Sequence, residues 1–150
     1  MHEYVQNKYS ILRSVATRLT RLVKRLRKSQ SSDAYHKAQL FEDSRANKAF
    51  VKAVVDLGPS CHIRHPVYFK NPKYFSIGSN FSAGPGLRIE AWDNYEGDSF
   101  VPEIIIGNSV AINWNVHIGA INRIEIQDNV LIGSNVLITD HAHGNITLDD

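Results

Sequence analysis

The feature that most restricts the fold is a series of apolar residues spaced six apart between residues 57 and 138. They come in groups of three, and the step from one group to the next is eight residues in two cases and seventeen in one. The positions are Leu57, Ile63 and Phe69; Ile77, Ala83 and Ile89; Ile106, Ile112 and Ile118; and Ile126, Ile132 and Ile138. Strand alternation at a period of two does not produce this spacing, which argues against an ordinary β-sandwich. The repeat therefore has a period of about 20 residues with one insertion.

The residues around these positions repeat as well. Near copies of Ile-Gly followed by Ser or Asn occur at residues 77–81, 106–110 and 132–136. Each hexad predicts a short strand with an inward apolar residue, a small Gly, and a tight turn where Asn or Ser tolerates a positive φ. Three hexads predict one triangular coil. A lone coil buries too little apolar surface to offset the entropy of ordering its backbone, so the coils are expected to stack into a solenoid.

A different pattern precedes the repeats. Between Lys8 and Lys28, apolar residues recur at three- and four-residue intervals among eight basic residues and no acidic ones. This predicts a basic amphipathic helix. A link is expected at residues 30–33, with an N-cap at Ser32 or Asp33, and a second helix from about Ala34 to Val55. The predicted organisation is a helical basic segment at residues 1–55 and a β-solenoid domain at residues 56–150.

Two interpretations of the basic helix stay open at this point. It attaches to an anionic membrane surface, or it packs on its own domain or a neighbouring subunit with its basic face in solvent. Nucleic acid is not an expected partner, because the stretch has one aromatic residue, Tyr9, and no base-reading motif.

Composition narrows the class of protein. One Cys and one Met in 150 residues exclude a disulfide framework and a Cys-based zinc site. Residues 1–89 carry a net charge of +11 and residues 90–150 one of −9, so the two halves have different surroundings or partners. With no secretory signal or membrane span in the sequence, a cytoplasmic protein is expected. Peripheral attachment to the inner face of the membrane is the alternative location.

These hexads, and above all residues 124–144 with their Thr-Asp-His-Ala-His-Gly ending, resemble the hexapeptide-repeat acyltransferases. The resemblance is strongest to the O-acetyltransferases of lipopolysaccharide, O-antigen and capsule biosynthesis, relatives of the maltose and galactoside acetyltransferases. It covers about residues 57–150. It implies a left-handed parallel β-helix and a homotrimer that uses acetyl-CoA as co-substrate in a cleft between subunits.

The resemblance also implies site residues. It assigns His143 as the catalytic base, with His141 as the competing candidate. Asn113 is implied to hold the acceptor sugar, with Trp114 beside it as a stacking surface. His117 is a further substrate-binding candidate, with a solvent-facing turn residue as the equal alternative because it is the last residue of its hexad. The residues that would contact CoA stay unknown.

Elementary chemistry agrees with a histidine in that role. Acetyl transfer from a thioester to a hydroxyl needs a base that titrates near neutrality, and an ordinary imidazole does so. Asp140 could orient the imidazole of either His141 or His143, although an Asp in a turn more often caps local backbone groups. The insertion at residues 91–100 is expected to rim the acceptor site or to form a solvated acidic loop.

Three alternatives stay open beside an O-acetyltransferase that acts on surface polysaccharide. A zinc hydratase resembling the gamma-type carbonic anhydrases would use His117, His141 and His143, but the spacing differs from that family and no metal is expected. The chain stops soon after the histidine segment, so later coils that would complete a CoA groove are expected to be missing, and an inactive remnant is the second alternative. The third is transfer to another small acceptor, namely serine, a free sugar or an antibiotic.

Overall fold

The structure, a computed structural model, describes residues 2–142, with side chains described from residue 15 onward. Within these residues, one long N-terminal helix is followed by fourteen short strands and a single 3₁₀ turn (Pro72–Tyr74) between the third and fourth strands. Most of the strands lie in parallel sheets, and the chain beyond the helix is mainly β. Within the described part of the chain, no helical stretch combines the length and the hydropathy of a membrane span.

The helix α1 runs without interruption over His2–Ala53. The expectation of two helices joined by a link at residues 30–33 is therefore wrong. Gln30, Ser31, Ser32 and Asp33 include neither Gly nor Pro. Ser and Asp in a helix interior cost only about 0.5 kcal/mol each relative to Ala, which the flanking turns tolerate.

The chain divides into two compact units, residues 1–40 and residues 41–150. The first unit consists of helix, and nearly all of its described side chains are exposed. The second unit contains the last turns of α1 and all of the strands.

The second unit is built from three four-stranded parallel sheets. The first sheet contains β1 (Asp56–Leu57), β4 (Phe75–Ile77), β9 (Glu103–Ile106) and β12 (Arg123–Ile126). The second contains β2 (His62–Ile63), β5 (Ser82–Ala83), β10 (Ala111–Ile112) and β13 (Leu131–Ile132). The third contains β3 (Val67–Lys70), β6 (Leu87–Ala91), β11 (His117–Ala120) and β14 (Leu137–Thr139). A short antiparallel hairpin, β7 (Asn94–Tyr95) and β8 (Asp98–Ser99), follows β6.

Successive strands of the chain visit the three sheets in turn, as expected for a β-helix-like solenoid. The predicted hexad positions align in three columns. Leu57 pairs with Ile77, which pairs with Ile106 and then Ile126. The other two columns align in the same way, from Ile63 to Ile132 and from Phe69 to Ile138. The predicted register is confirmed at all twelve positions.

The turns also follow the prediction. Asn80, Ser109, Asn129 and Asn135 have φ between 55° and 60°, in the left-handed region. The Gly before such a turn is needed for close stacking, since a Cβ on Gly78 would lie 2.8 Å from the backbone nitrogen of Asn108 in the next coil. Small residues at these corners therefore let successive coils approach to hydrogen-bonding distance.

The end of α1 covers the first coil within the second unit. Phe50 is fully buried, with its ring 5.4 Å from that of Phe69 in an edge-on contact. Asn47 accepts a hydrogen bond from the backbone N–H of Ile63 (3.1 Å), and Asp43 accepts one from that of His65 (2.7 Å). These contacts protect apolar side chains and backbone donors that the first coil would otherwise expose.

Candidate functional site

A cavity of about 580 Å³ lies on the outer face of the third sheet. Its polar lining residues are Arg88, Glu90, His117, Thr139 and His141. Its apolar and small lining residues are Trp92, Tyr95, Phe100, Gly119, Ile121, Leu137 and Ala142. The volume lies within the range typical of small-molecule sites.

Strand alternation explains why these polar side chains share one face. In β6 and β11 the hexad residues Ile89 and Ile118 point into the core, so the residues on either side of them point outward. The parallel register then sets Arg88 beside His117, and Glu90 beside Gly119. The site is thus assembled from neighbouring coils rather than from neighbouring residues in sequence.

Glu90 is the most buried charged group of the site, with 2% of its side chain exposed. Arg88 donates to both of its carboxylate oxygens, from Nε at 2.6 Å and from Nη2 at 3.1 Å. The hydrogen bonds to Glu90 raise the pKa of Arg88 above its usual value. His117 Nε2 lies 2.9 Å from Glu90 Oε2. Because a carboxylate can only accept, Nε2 carries a hydrogen, and the Nδ1 of a neutral His117 is an acceptor.

His141 is held by a second carboxylate. Its Nδ1 lies 3.1 Å from Oδ1 of Asp140 and 2.9 Å from the Thr139 hydroxyl. Asp140 also accepts hydrogen bonds from the backbone N–H groups of Ile121 (2.9 Å) and Asn122 (2.8 Å) in the preceding coil. Burial alone would raise the pKa of Asp140, but these hydrogen bonds outweigh it and hold the pKa below its ordinary value. Asp140 therefore caps a turn and orients His141 at once.

Gly119 leaves an open space between the two imidazoles. A Cβ placed on Gly119 would lie 3.5 Å from His117 Nε2 and 3.5 Å from His141 Cε1. The two rings therefore flank the same point of the third sheet. A small reacting group placed there would be in reach of both.

The insertion after β6 supplies one wall of the cavity. Tyr95 and Phe100 of this loop line it together with Trp92, whose ring contacts Tyr95 edge-on at 6.2 Å. Asp93 is engaged elsewhere, since Lys73 (3.2 Å) and Tyr74 (3.3 Å) contact its carboxylate. The ion pair with Lys73 lowers the pKa of Asp93. The aromatic residues of the insertion, rather than its acidic ones, form the wall of the cavity.

The structure brings together only some of the residues predicted for the site. His117 and His141 line the cavity, and Asp140 contacts His141 without lining the cavity itself. Asn113 and Trp114 follow β10 in the second sheet and do not line it, and 57% of Trp114 is exposed. His143 lies outside the described residues. Among residues 15–142, whose side chains the structure describes, no group of three or more His, Cys, Asp or Glu side chains is spaced to hold a metal ion.

Sequence reasoning missed Glu90 and Arg88. The signal was present in the hexad register, because pairing Ile89 with Ile118 sets residues 88 and 90 beside residues 117 and 119. Glu90 is separated from His117 by 27 residues in sequence. No local motif links them.

Comparisons with known proteins give one significant relative. The chain is 36% identical over 88 residues to a protein of Escherichia coli (strain K12) named "Putative lipopolysaccharide biosynthesis O-acetyl transferase WbbJ". The match covers 59% of this chain and 41% of that protein, so it spans less than half of the relative's length. No family model matches the chain. No solved structure matches it significantly.

Proposed function

We propose that this chain carries the site of an O-acetyltransferase that moves an acetyl group from acetyl-CoA to a sugar hydroxyl in surface-polysaccharide biosynthesis. The acceptor would belong to lipopolysaccharide, O-antigen or capsule. The observation that carries the proposal is the pair of imidazoles, each held by a carboxylate, that flank Gly119 in the cavity. The similarity to the Escherichia coli protein supports the reaction class.

Such a site suits a direct transfer. The acceptor oxygen forms a bond to the acetyl carbon, and the bond from that carbon to the CoA sulfur breaks. An imidazole takes the hydroxyl proton as the oxygen attacks and returns it to the departing sulfur, so the products are an acetyl ester and free CoA. Imidazole can take the proton in the first step and, as imidazolium, return it in the second, because it titrates near neutrality; no nucleophilic Ser or Cys is needed.

The proposed base is His143, with His141 as the rival, as the resemblance to the hexapeptide-repeat acyltransferases implies. In this scheme Asp140 orients the base directly if the base is His141. If the base is His143, Asp140 acts by fixing His141 and the turn that precedes His143. His117, fixed by Glu90, borders the proposed acceptor position with the Nε2 edge of its ring toward Gly119. Glu90 then acts through His117 and does not itself contact substrate.

The cavity fits the acyl end of the donor better than its nucleotide end. Trp92, Tyr95 and Phe100 provide an apolar wall for a thioester arm. The one permanent cation among the described lining residues, Arg88, is already paired with Glu90. The phosphates of CoA are therefore proposed to bind outside this cavity.

The proposal includes an assembly. We propose a homotrimer of left-handed β-helices in which a neighbouring copy brings Asn113 and Trp114 to the acceptor. Their exposure, away from the cavity of their own chain, is consistent with such a role. The reaction is proposed to take place in the cytoplasm, where acetyl-CoA is available.

The test is CoA release from acetyl-CoA with a panel of sugars, polysaccharide precursors, serine and amino-sugar antibiotics. His143→Ala is expected to lower the turnover number by about 10² to 10⁴, the usual worth of a general base. His141→Ala and His117→Ala serve as comparisons in the same assay. Circular dichroism on each variant checks that the fold is retained.

The outcomes separate the candidates. A wild-type rate in His143→Ala, with a large loss in His141→Ala, would move the base to His141. An acceptor preference for serine or an antibiotic would replace the polysaccharide in the proposal. If no acceptor accelerates CoA release by the wild-type chain, the acetyltransferase proposal is wrong for this chain.

A further inference from the structure

Residues 15–28 of α1 expose an apolar stripe that no described side chain of the first unit covers. The stripe consists of Val15, Leu19, Leu22, Val23 and Leu26. Each of these side chains is between 46% and 57% exposed. In a helix of a soluble protein such a stripe normally faces a core, so its exposure requires an explanation.

Apolar and basic side chains of this segment lie on opposite sides of the helix. At about 100° of rotation per residue, the five apolar side chains occupy an arc of roughly 100°. The six basic residues of the segment occupy roughly 180° on the opposite side. They are Arg18, Arg21, Lys24, Arg25, Arg27 and Lys28. Arg18 and Arg27 are nearest to the two edges of the stripe.

The charge of the segment identifies the occupant. Residues 15–28 carry six positive charges and no acidic residue. A second copy of the same segment, packed stripe against stripe, would bring like charges together and offer no acidic partner to pair with them. A nucleic acid would pair with the bases but leave the apolar stripe in water. An anionic bilayer satisfies both, with acyl chains under the stripe and headgroups beside the bases.

We propose that residues 15–28 bind the surface of an anionic lipid bilayer. The helix lies in the plane of the interface, and its length there is about 21 Å at 1.5 Å per residue. The aliphatic stems of Arg18 and Arg27 lie along the edge of the stripe while their guanidinium groups reach the headgroups. The inference is independent of the acetyltransferase proposal, since it involves no residue of the cavity.

The test measures binding of the full chain to vesicles. One set is phosphatidylcholine, and the other is an equimolar mixture of phosphatidylcholine and phosphatidylglycerol. Binding is expected to the mixed vesicles and to weaken with added salt, because screening reduces the attraction of the bases. Arg18→Gln and Arg25→Gln are expected to lower the partition coefficient about fivefold for each charge removed.

A second variant tests the stripe separately. Leu19→Ser combined with Leu22→Ser keeps every charge and is expected to lower the partition coefficient at least tenfold. Tyr35→Ser is the matched control, since Tyr35 is a large exposed side chain of the same helix that lies outside the stripe. Circular dichroism checks the helix in each variant.

Two results would overturn the proposal. One is equal binding of the wild-type chain to neutral and mixed vesicles. The other is a Leu19→Ser, Leu22→Ser variant that binds mixed vesicles as the wild type does but has a smaller mass in solution by light scattering. That second result would assign the stripe to contacts between copies of the chain.

Discussion

The first and third sheets both carry ion pairs on their outer faces, but they differ in how far the charged side chains are buried. On the first sheet, Arg123 pairs with Glu103 and Glu125, and all three side chains are about half exposed. On the third sheet, Glu90 pairs with Arg88 and His117 but is almost completely buried. Both faces belong to the same solenoid with the same register. Burial of a charge is therefore not a requirement of this fold, and the one buried acid of this comparison, Glu90, is among the residues that line the cavity.

The sharpest difference is expected in stability. Glu90→Ala leaves Arg88 and His117 without their buried partner, and the free energy of unfolding is expected to fall by about 3 kcal/mol. This is the lower end of the range for a broken buried ion pair, because half of Arg88 stays in contact with solvent. Glu125→Ala is the matched change on the first sheet, where Arg123 keeps Glu103 and no measurable change is expected. Urea unfolding measures both. Equal midpoints for the two variants would remove the distinction between the faces.

Asp140 extends the comparison to pH. The pKa of this carboxyl is lower in the folded chain than its usual value of 3.8, so its charge stabilises the fold above that pH. This contribution is lost as the pH falls through the lowered pKa. Asp140→Asn is expected to cost about 2 kcal/mol near neutral pH, as for other hydrogen bonds to charged groups.

The difference between wild type and Asp140→Asn should then disappear in acid. Unfolding measured between pH 2 and pH 7 checks this, with Asp98→Asn in the exposed hairpin as the control. A difference that stays constant across the whole range would mean that the charge of Asp140 contributes nothing.

The smallest expected change concerns the space between the imidazoles. Gly119→Ala adds a methyl group at an ordinary contact distance from both rings, so stability should be retained. If the reacting groups meet there, the rate of acetyl transfer should fall about tenfold through misplacement. Gly133→Ala is the control, because nothing lies within 4 Å of the added methyl. A wild-type rate in Gly119→Ala would place the reaction elsewhere.

The repeat determined most of what could be predicted about the fold. Inward residues such as Ile77 and Ile106 recur at a fixed spacing because each must stack on its neighbour in the next coil. The link expected at residues 30–33 failed for the opposite reason. Weak helix formers lower local propensity slightly, and that signal alone does not end a helix.

The site was harder to predict than the scaffold. His117, His141 and Asp140 belong to segments with a family resemblance, whereas Glu90 has no motif around it. Its partnership with His117 depends on outward-facing neighbours in adjacent coils. The hexad register would have predicted this contact if the outward-facing residues on either side of Ile89 and Ile118 had been aligned as well as the inward-facing ones.

The insertion after β6 has a consequence for how such a protein can diversify. The other corners on this side of the solenoid connect their strands through a few residues, from Lys70 to Phe75 and from Ala120 to Arg123. Here the chain leaves the coil at Ala91 and rejoins it at Glu103 without altering the register of the strands on either side. Changes in this loop can therefore reshape the wall above Glu90 and His117 while the stacked coils stay as they are. Insertion, deletion or exchange of residues in this loop can change which molecules the cavity admits, without moving the side chains that the stacked strands hold in place beneath it.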